Sequence, residues 1–432
     1  MNRRSFLQNA GAFSSLALLG FKGEVALAET DRAGKLSILQ GYTDATSTEL
    51  SVVVLDKKLK YSLRDPVLNI KIAPTKKWNV TWPEVSEKSV DKMYFTNLDV
   101  SRTYIFEVRN AQGKLVDNRI LKTLDVTRKD IHVAWMSCMH DRYESEQKRI
   151  WASAKAARPE LLFFIGDSIY ADSLVQMALK IGAKPPQIWK RFVETRETLD
   201  FYKFDQLIPV FSVWDDHDYG KNNADSTYPY KYDSLRIFET FFARTRQTEF
   251  YQKGPGCSMV YKAFGQKFLL IDNRTFQTAQ CFWGNNLRDW IFNELETFDG
   301  PTWIMQGQQF FGGYCEKGSF ERNYPVRFGK ILKAIKDIGT PVFFASGDVH
   351  YSEVMKLERN LFGYDSFEMT SSSMHSYTKE PKPNNPRRLM ATGQRNFIGS
   401  RMTLTDSGLD FSTYVRGENS VLWKKETSIE LY

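Results

Sequence analysis

Cysteine is scarce in this chain: Cys138, Cys257, Cys281 and Cys315 are its only four among 432 residues. None falls in a Cys-x-x-Cys pair, which excludes a zinc knuckle and a thioredoxin-type redox motif. In an oxidising compartment one disulfide among the last three is open, with the pairing undetermined. Beyond the N-terminus no window stays free of charge for the roughly 18 to 20 residues that a membrane-spanning helix needs. Repeats and low-complexity tracts are missing too. With 42% hydrophobic and 25% charged residues the chain lacks the apolar-poor profile of disorder, and its length allows two or three domains. No arm or helix gathers the basic residues behind the net charge of +8. That scatter argues against a nucleic-acid platform and is compatible with small anionic substrates.

The N-terminus departs from globular composition. Asn2-Arg3-Arg4-Ser5-Phe6-Leu7-Gln8 precedes a weakly apolar run over 10–21, and Ala26-Leu27-Ala28 offers the small residues that a signal peptidase requires. The pattern resembles a twin-arginine export signal over 1–28, with Glu29 as the new N-terminus after cleavage. The expectation is a periplasmic or secreted protein that meets the export machinery and keeps no stable membrane anchor.

Residues 35–125 read as short strands, at 50–55, 67–72, 93–98, 104–108 and 119–124, separated by Asp, Asn, Gly and Pro. Asn110-Ala111-Gln112-Gly113 has the composition of a hairpin turn. Strands at this spacing with no helical window predict an N-terminal β-sandwich domain over 35–125. The period changes after Asp130. Apolar strands are expected at 132–137, 161–165, 209–214, 268–271, 302–305 and 342–345, and helices at 144–157, 187–197, 232–244, 287–295 and 327–338. Strands return at 397–405 and 409–415, and the Pro-, Lys- and Asn-rich 379–388 reads as an exposed loop. Such alternation predicts a layered α/β domain over 130–432.

Four of these strands end in side chains able to bind metal, where open α/β sheets place their ligand sites. Ser137-Cys138-Met139-His140 follows the first, and Gly166-Asp167-Ser168-Ile169-Tyr170, with Asp172, follows the second. Trp214-Asp215-Asp216-His217-Asp218-Tyr219-Gly220-Lys221-Asn222-Asn223 follows the third, and Gly347-Asp348-Val349-His350 follows the last. Three of the five histidines fall inside these segments, whereas His132 and His375 lack such company and are not read as ligands. Buried carboxylates are costly unless a charge opposes them, and His217 alone cannot neutralise the run from Asp215 to Asp218. Cations are the simplest answer. Oxygen ligands with a thiolate, a phenolate and imidazoles suit iron, zinc or manganese; carboxylates with a carboxamide suit calcium, magnesium or manganese. A pair of unlike metal ions is expected.

In this order the segments resemble the alkaline phosphatase D, or PhoD-like, branch of the metallophosphoesterases. The likeness extends to Phe268-Leu269-Leu270-Ile271-Asp272-Asn273-Arg274, the Trp290-containing helix after Gly284, Thr370-Ser371-Ser372-Ser373 and, more loosely, Asn396-Phe397-Ile398-Gly399. It implies a four-layer αββα metallophosphoesterase sandwich preceded by an all-β sandwich domain. It also implies an iron site of Cys138, Asp167, Tyr170 and His350, and a second, calcium-like site of Asp167, Asn222 and Asp348, with Asn223 adjacent. Asp215 and Asp216 are additional candidates. His140 stands where a related Asp-x-His motif has its His, and is open to ligating, donating a proton or orienting phosphate. Leu287 and Arg288 replace the Gln that usually precedes the Trp, a departure that bears on local packing.

The expected chemistry is hydrolysis of phosphate monoesters or diesters. Two cations bridged by Asp167 would lower the pKa of a shared water and hold phosphoryl oxygens. Arg274 is the expected oxyanion contact through its guanidinium fork, and His217, preceded by two aspartates that could orient its ring, is the expected general acid. Small phosphate esters are the expected substrates, with nucleic acid, phospholipid or teichoic-acid-like diesters as further candidates. Loops 173–197, 276–283 and 373–395 would choose among them. A non-catalytic phosphate- or polysaccharide-binding protein on the same fold would have lost ligands, and none is lost. A metal-free hydrolase using Asp215 and Asp218 as acid and base sits poorly beside a thiol and a phenol.

Overall fold

The computed structural model describes residues 35–55, 58–312, 318–381 and 385–431; the export signal read in 1–28, Cys315 and part of the 379–388 loop lie outside them. Chain order first gives β1 (Ser37–Thr43), β2 (Thr48–Val54), β3 (Lys60–Arg64), β4 (Lys71–Ile72), β5 (Lys76–Trp82), β6 (Val85–Phe95), β7 (Thr103–Arg109) and β8 (Leu115–Lys122). They form two antiparallel sheets, ordered β1-β2-β6-β5 and β4-β3-β7-β8. Alternate residues face inward, so Leu50, Val52, Met93 and Phe95 of one sheet share a core with Leu63, Tyr104, Phe106 and Val108 of the other. The hairpin turn closes as expected, with the Gly113 N–H donating to the Asn110 carbonyl at 3.0 Å. The strand expected at 67–72 shrinks to its last two residues because Asp65 curls the chain. Its Oδ1 accepts the N–H groups of Val67 and Leu68 at 2.8 and 2.9 Å, and both apolar side chains are left exposed.

After Asp130 follow β9 (Asp130–Met136), β10 (Leu161–Ile165), β11 (Val210–Val213), β12 (Tyr251–Lys253), β13 (Met259–Ala263), β14 (Gln266–Leu270), β15 (Thr302–Met305) and β16 (Val342–Ser346). Then come β17 (Ser352–Leu357), β18 (Ser366–Thr370), β19 (Arg388–Thr392), β20 (Asn396–Leu404), β21 (Gly408–Gly417) and β22 (Val421–Glu430). One sheet is ordered β11-β10-β9-β20-β21-β22 and the other β12-β13-β14-β15-β16-β18-β17-β19. Within them β9 to β11 are parallel, as are β14 to β16. Side-chain alternation decides the layers. Phe163 of β10 lies 5.1 Å from Phe268 of β14, between the sheets, whereas its neighbour Phe164 lies 6.1 Å from Trp151 of the helix Glu144–Ala157. Beyond the second sheet, Ile304 and Phe344 pack with Leu287, Ile291 and Leu332 of the helices Gly284–Glu296 and Pro325–Ile338. The result is the expected four-layer αββα sandwich, preceded by an all-β sandwich.

The joint between the two parts is polar yet closed. Arg196, 2% exposed on the helix Pro185–Thr198, directs all five N–H donors to acceptors. These are the Ser37 and Ser51 hydroxyls and the carbonyls of Ser37, Ser51 and Phe241, at 2.8 to 3.3 Å. Among the described residues no helix is long and apolar enough to cross a membrane, and Cys138, Cys257 and Cys281 are free thiols.

Candidate metal centre

At the ends of β9, β10 and β16 the chain enters turns too tight for ordinary backbone. Cys138, Asp167, Asp348 and His350 all adopt left-handed φ, at 56°, 51°, 69° and 63°. For a residue with a side chain this costs about 1–2 kcal/mol, and such strain gathers where a site overdetermines the backbone. Gly166, at φ 90°, leads into Asp167. A Cβ there would lie 2.6 Å from that of Asp215, and one on Gly307 would lie 2.5 Å from it, so two glycine backbones pack directly on Asp215. Gly307 carries no motif, and nothing in the sequence marks it.

Buried hydrogen bonds hold these turns. Asp218 accepts the N–H groups of Ile169 and Asp215, each at 3.0 Å. The Ser372 hydroxyl accepts the His350 N–H at 2.9 Å and lies 3.1 Å from the Cys138 thiol, while Ser137 donates to the Ser371 carbonyl at 2.7 Å. The serine stretch after β18 therefore ties the first motif to the last.

Two groups of ligand atoms result. One atom from each of Asp167, Asp216 and His217 lies within 4.8 Å of the others, and so do oxygens of Asp215, Asp216 and Asp348. Asp216 belongs to both groups. Cys138 Sγ is 3.6 Å from Asp167 Oδ2. The Tyr170 ring has His140 at 4.4 Å and His217 at 4.3 Å, and its hydroxyl donates to Ser376 at 3.1 Å. Asn222 enters through its backbone N–H, 2.8 Å from Asp172, and Asn223 through its own, 2.5 Å from Asp216.

Two expectations change. The His217 ring is oriented by Asp172, with Nδ1 and Oδ1 2.6 Å apart, and not by the aspartates that precede it. Asp172 stands in plain view after Asp167, but spacing cannot say that its loop crosses to the one after β11. Arg274 does not present a free fork. It is 3% exposed, its Nε pairs with Asp215 and its Nη2 lies 3.7 Å from Asp216, because buried carboxylates demand a counter-charge.

Burial is the first force on each of these groups. It pushes Asp167 well above the usual carboxylate range, against the opposing charge of His217, and takes Asp348 to about 7 with help from Asp215 and Asp216. Burial and the nearby Asp167 raise the Cys138 thiol; burial, Cys138 and Asp167 raise the Tyr170 phenol. Asp216 is held at about 2, because Arg274 and His217 outweigh its burial. His217 is raised although burial opposes it, since Asp216, Asp167 and Asp172 surround it. Absent a cation, the thiol, the phenol and several carboxyls keep protons that a metal would displace.

The donors present fit metal ions. Asp215 Oδ2 and His350 Nδ1 are buried with no hydrogen-bond partner among the described residues. A bare buried acceptor costs about 1–3 kcal/mol unless something completes it. The histidines not read as ligands are satisfied: His132 meets the Arg158 carbonyl at 3.1 Å and the Tyr414 hydroxyl at 2.8 Å, and His375 the His140 carbonyl and Trp151, each at 3.2 Å.

No family model matches the sequence, and no curated protein matches it. Solved structures do share its architecture. PhoD superposes with a TM-score of 0.67 at 14% identity, over 93% of this chain and 90% of that one. A purple acid phosphatase from yellow lupin (Lupinus luteus) seeds superposes with a TM-score of 0.64 at 12% identity, over 91% of this chain and 74% of that one. At such identity the likeness is one of fold, and the fold of this chain is the one found in PhoD and in the lupin purple acid phosphatase.

Proposed function

We propose that this chain is an exported, metal-dependent phosphoesterase that hydrolyses phosphate monoesters or diesters. The observation that carries the reading is the convergence at strand ends of two groups of potential ligands that share Asp216, the first of which includes His217, itself held by Asp172. Iron held by Cys138, Asp167, Tyr170 and His350, and a calcium-like ion held by Asp167, Asn222 and Asp348, would supply activation of water near neutral pH and charge neutralisation at phosphorus. Asp216 is within reach of both. Asp172 fixes the His217 imidazole through Nδ1 and the surrounding carboxylates favour the imidazolium, so in this reading Nε2–H is the proton donor to the leaving oxygen and His217 stands beside the ions without binding them. Arg274 holds Asp215 in place and opposes the upward push of burial on its carboxyl.

Elemental analysis, visible absorption and turnover of aryl phosphate mono- and diesters test this together. A purple tyrosinate-to-iron band with chelator-sensitive turnover is expected; colourless, metal-free and inactive protein would sink the reading. The Arg3-Arg4 pair supports export in folded, metal-loaded form. Undiminished export after replacing both by Lys would refute that route.

A further inference from the structure

His350 is covered by two residues that no role yet uses. Tyr377 is 46% exposed and stacks its ring on His350, with centroids 3.8 Å apart at 27°. Two residues on, the Lys379 N–H donates to the His350 carbonyl at 2.8 Å, which anchors the segment to the last motif. The exposed Lys379 ammonium sits 5.4 Å from the centroid of the Tyr377 ring. No described carboxylate forms an ion pair with it, yet its charge acts on both Asp348 and His350. A lysine beside a centre built for cations is repelled by whatever fills that centre. It becomes favourable when an anion docks between the two.

We propose that Lys379 and Tyr377 form a phosphate-binding lip, in which Lys379 recognises the second negative charge of a monoester and the Tyr377 hydroxyl donates to a phosphoryl oxygen. The substrate class favoured is thus the dianionic phosphate monoester. This rests on the phosphoesterase reading, and the lip is separable from it by experiment. A charged contact at a partly exposed site acts mainly on ground-state binding, so KM responds more than kcat.

The test compares metal-loaded wild type with Lys379→Ala, Lys379→Arg and Tyr377→Phe on 4-nitrophenyl phosphate and bis(4-nitrophenyl) phosphate, with calorimetric binding of inorganic phosphate alongside. For Lys379→Ala, KM for the monoester should rise about tenfold with kcat within about twofold, and the diester should change less than about threefold. Lys379→Arg should restore most of the loss, and Tyr377→Phe should weaken phosphate binding about threefold. Equal losses on both esters, or phosphate affinity that Lys379→Ala leaves unchanged, would overturn the lip. Should wild type turn over no ester, the phosphoesterase reading falls, and phosphate calorimetry on the same variants still decides the lip: unaltered or absent binding overturns it.

Discussion

Arg196 and Asp215 are both buried ionisable groups, and the chain treats them in opposite ways. At the joint with the β-sandwich, every N–H of Arg196 meets an acceptor, and burial lowers its pKa only to about 10, so it stays charged. In the candidate metal centre one oxygen of Asp215 takes Asn273 and Arg274 while the other takes nothing among the described residues, with Asp216 close by. Desolvation acts on both. One charge is completed by the chain itself, and the other is left for a group the chain does not encode.

The variant that breaks this contrast most severely is Asp216→Asn. Because its carboxylate belongs to both ligand groups, metal content should fall and turnover should drop on the order of 10³-fold. The metal-free melting temperature should fall modestly, since the carboxylate that Arg274 and His217 hold charged is gone. Elemental analysis, ester assays and thermal melts would check all three, and retention of both metals would remove Asp216 from the centre. Arg196→Met is the mirror experiment. It removes a donor from five interior acceptors, of which the Phe241 carbonyl keeps the Ser51 hydroxyl, and should cost about 2–4 kcal/mol in urea unfolding while leaving metal stoichiometry alone.

Smaller effects sharpen the comparison. His217→Ala should slow esters of poor leaving groups about 100-fold and 4-nitrophenyl esters far less, with Asp172→Asn showing the same selectivity more weakly. Equal slowing of good and poor leaving groups would strike His217 from the acid role. The smallest effect concerns His132, whose two ring nitrogens are satisfied where His350 has one bare. Burial and Arg401 lower its pKa from 6.5 to about 4. Between those values the unfolded chain takes up a proton that the folded chain refuses. The contribution is therefore whole above 6.5 and shrinks as pH falls through the window, by about 1 kcal/mol at pH 5.5. Urea unfolding against pH should show this slope in wild type and a flatter one in His132→Gln.

The meeting of the four segments was legible because their potential ligands sit in short runs immediately after apolar strands, where a few adjacent residues carry the signal. The helix Glu144–Ala157 and the strands β10 and β15 were legible for the same reason, their period being uninterrupted. What escaped was set by contacts far apart in the chain. Asp172 and His217 meet across two loops, and Arg196 reads as an ordinary polar position of an amphipathic helix. Lys379 and Tyr377 lie in a polar stretch with no period at all. Among the strands, β5 was missed because it is mostly exposed and begins with two lysines, the dress of a sheet edge.

The placement of β20 between β9 and β21 has a consequence for the living chain. The strand that delivers Cys138 waits for a neighbour about 260 residues downstream. At roughly 5–20 residues per second, on the order of 13–50 s of synthesis separates the two. Until then the first motif has only β10 of its two sheet partners and lacks the serines that brace it, and a truncated copy never acquires the rest. Metal uptake at the candidate centre would thus be a certificate of completeness, and a gate that passed only loaded copies would pass only finished ones.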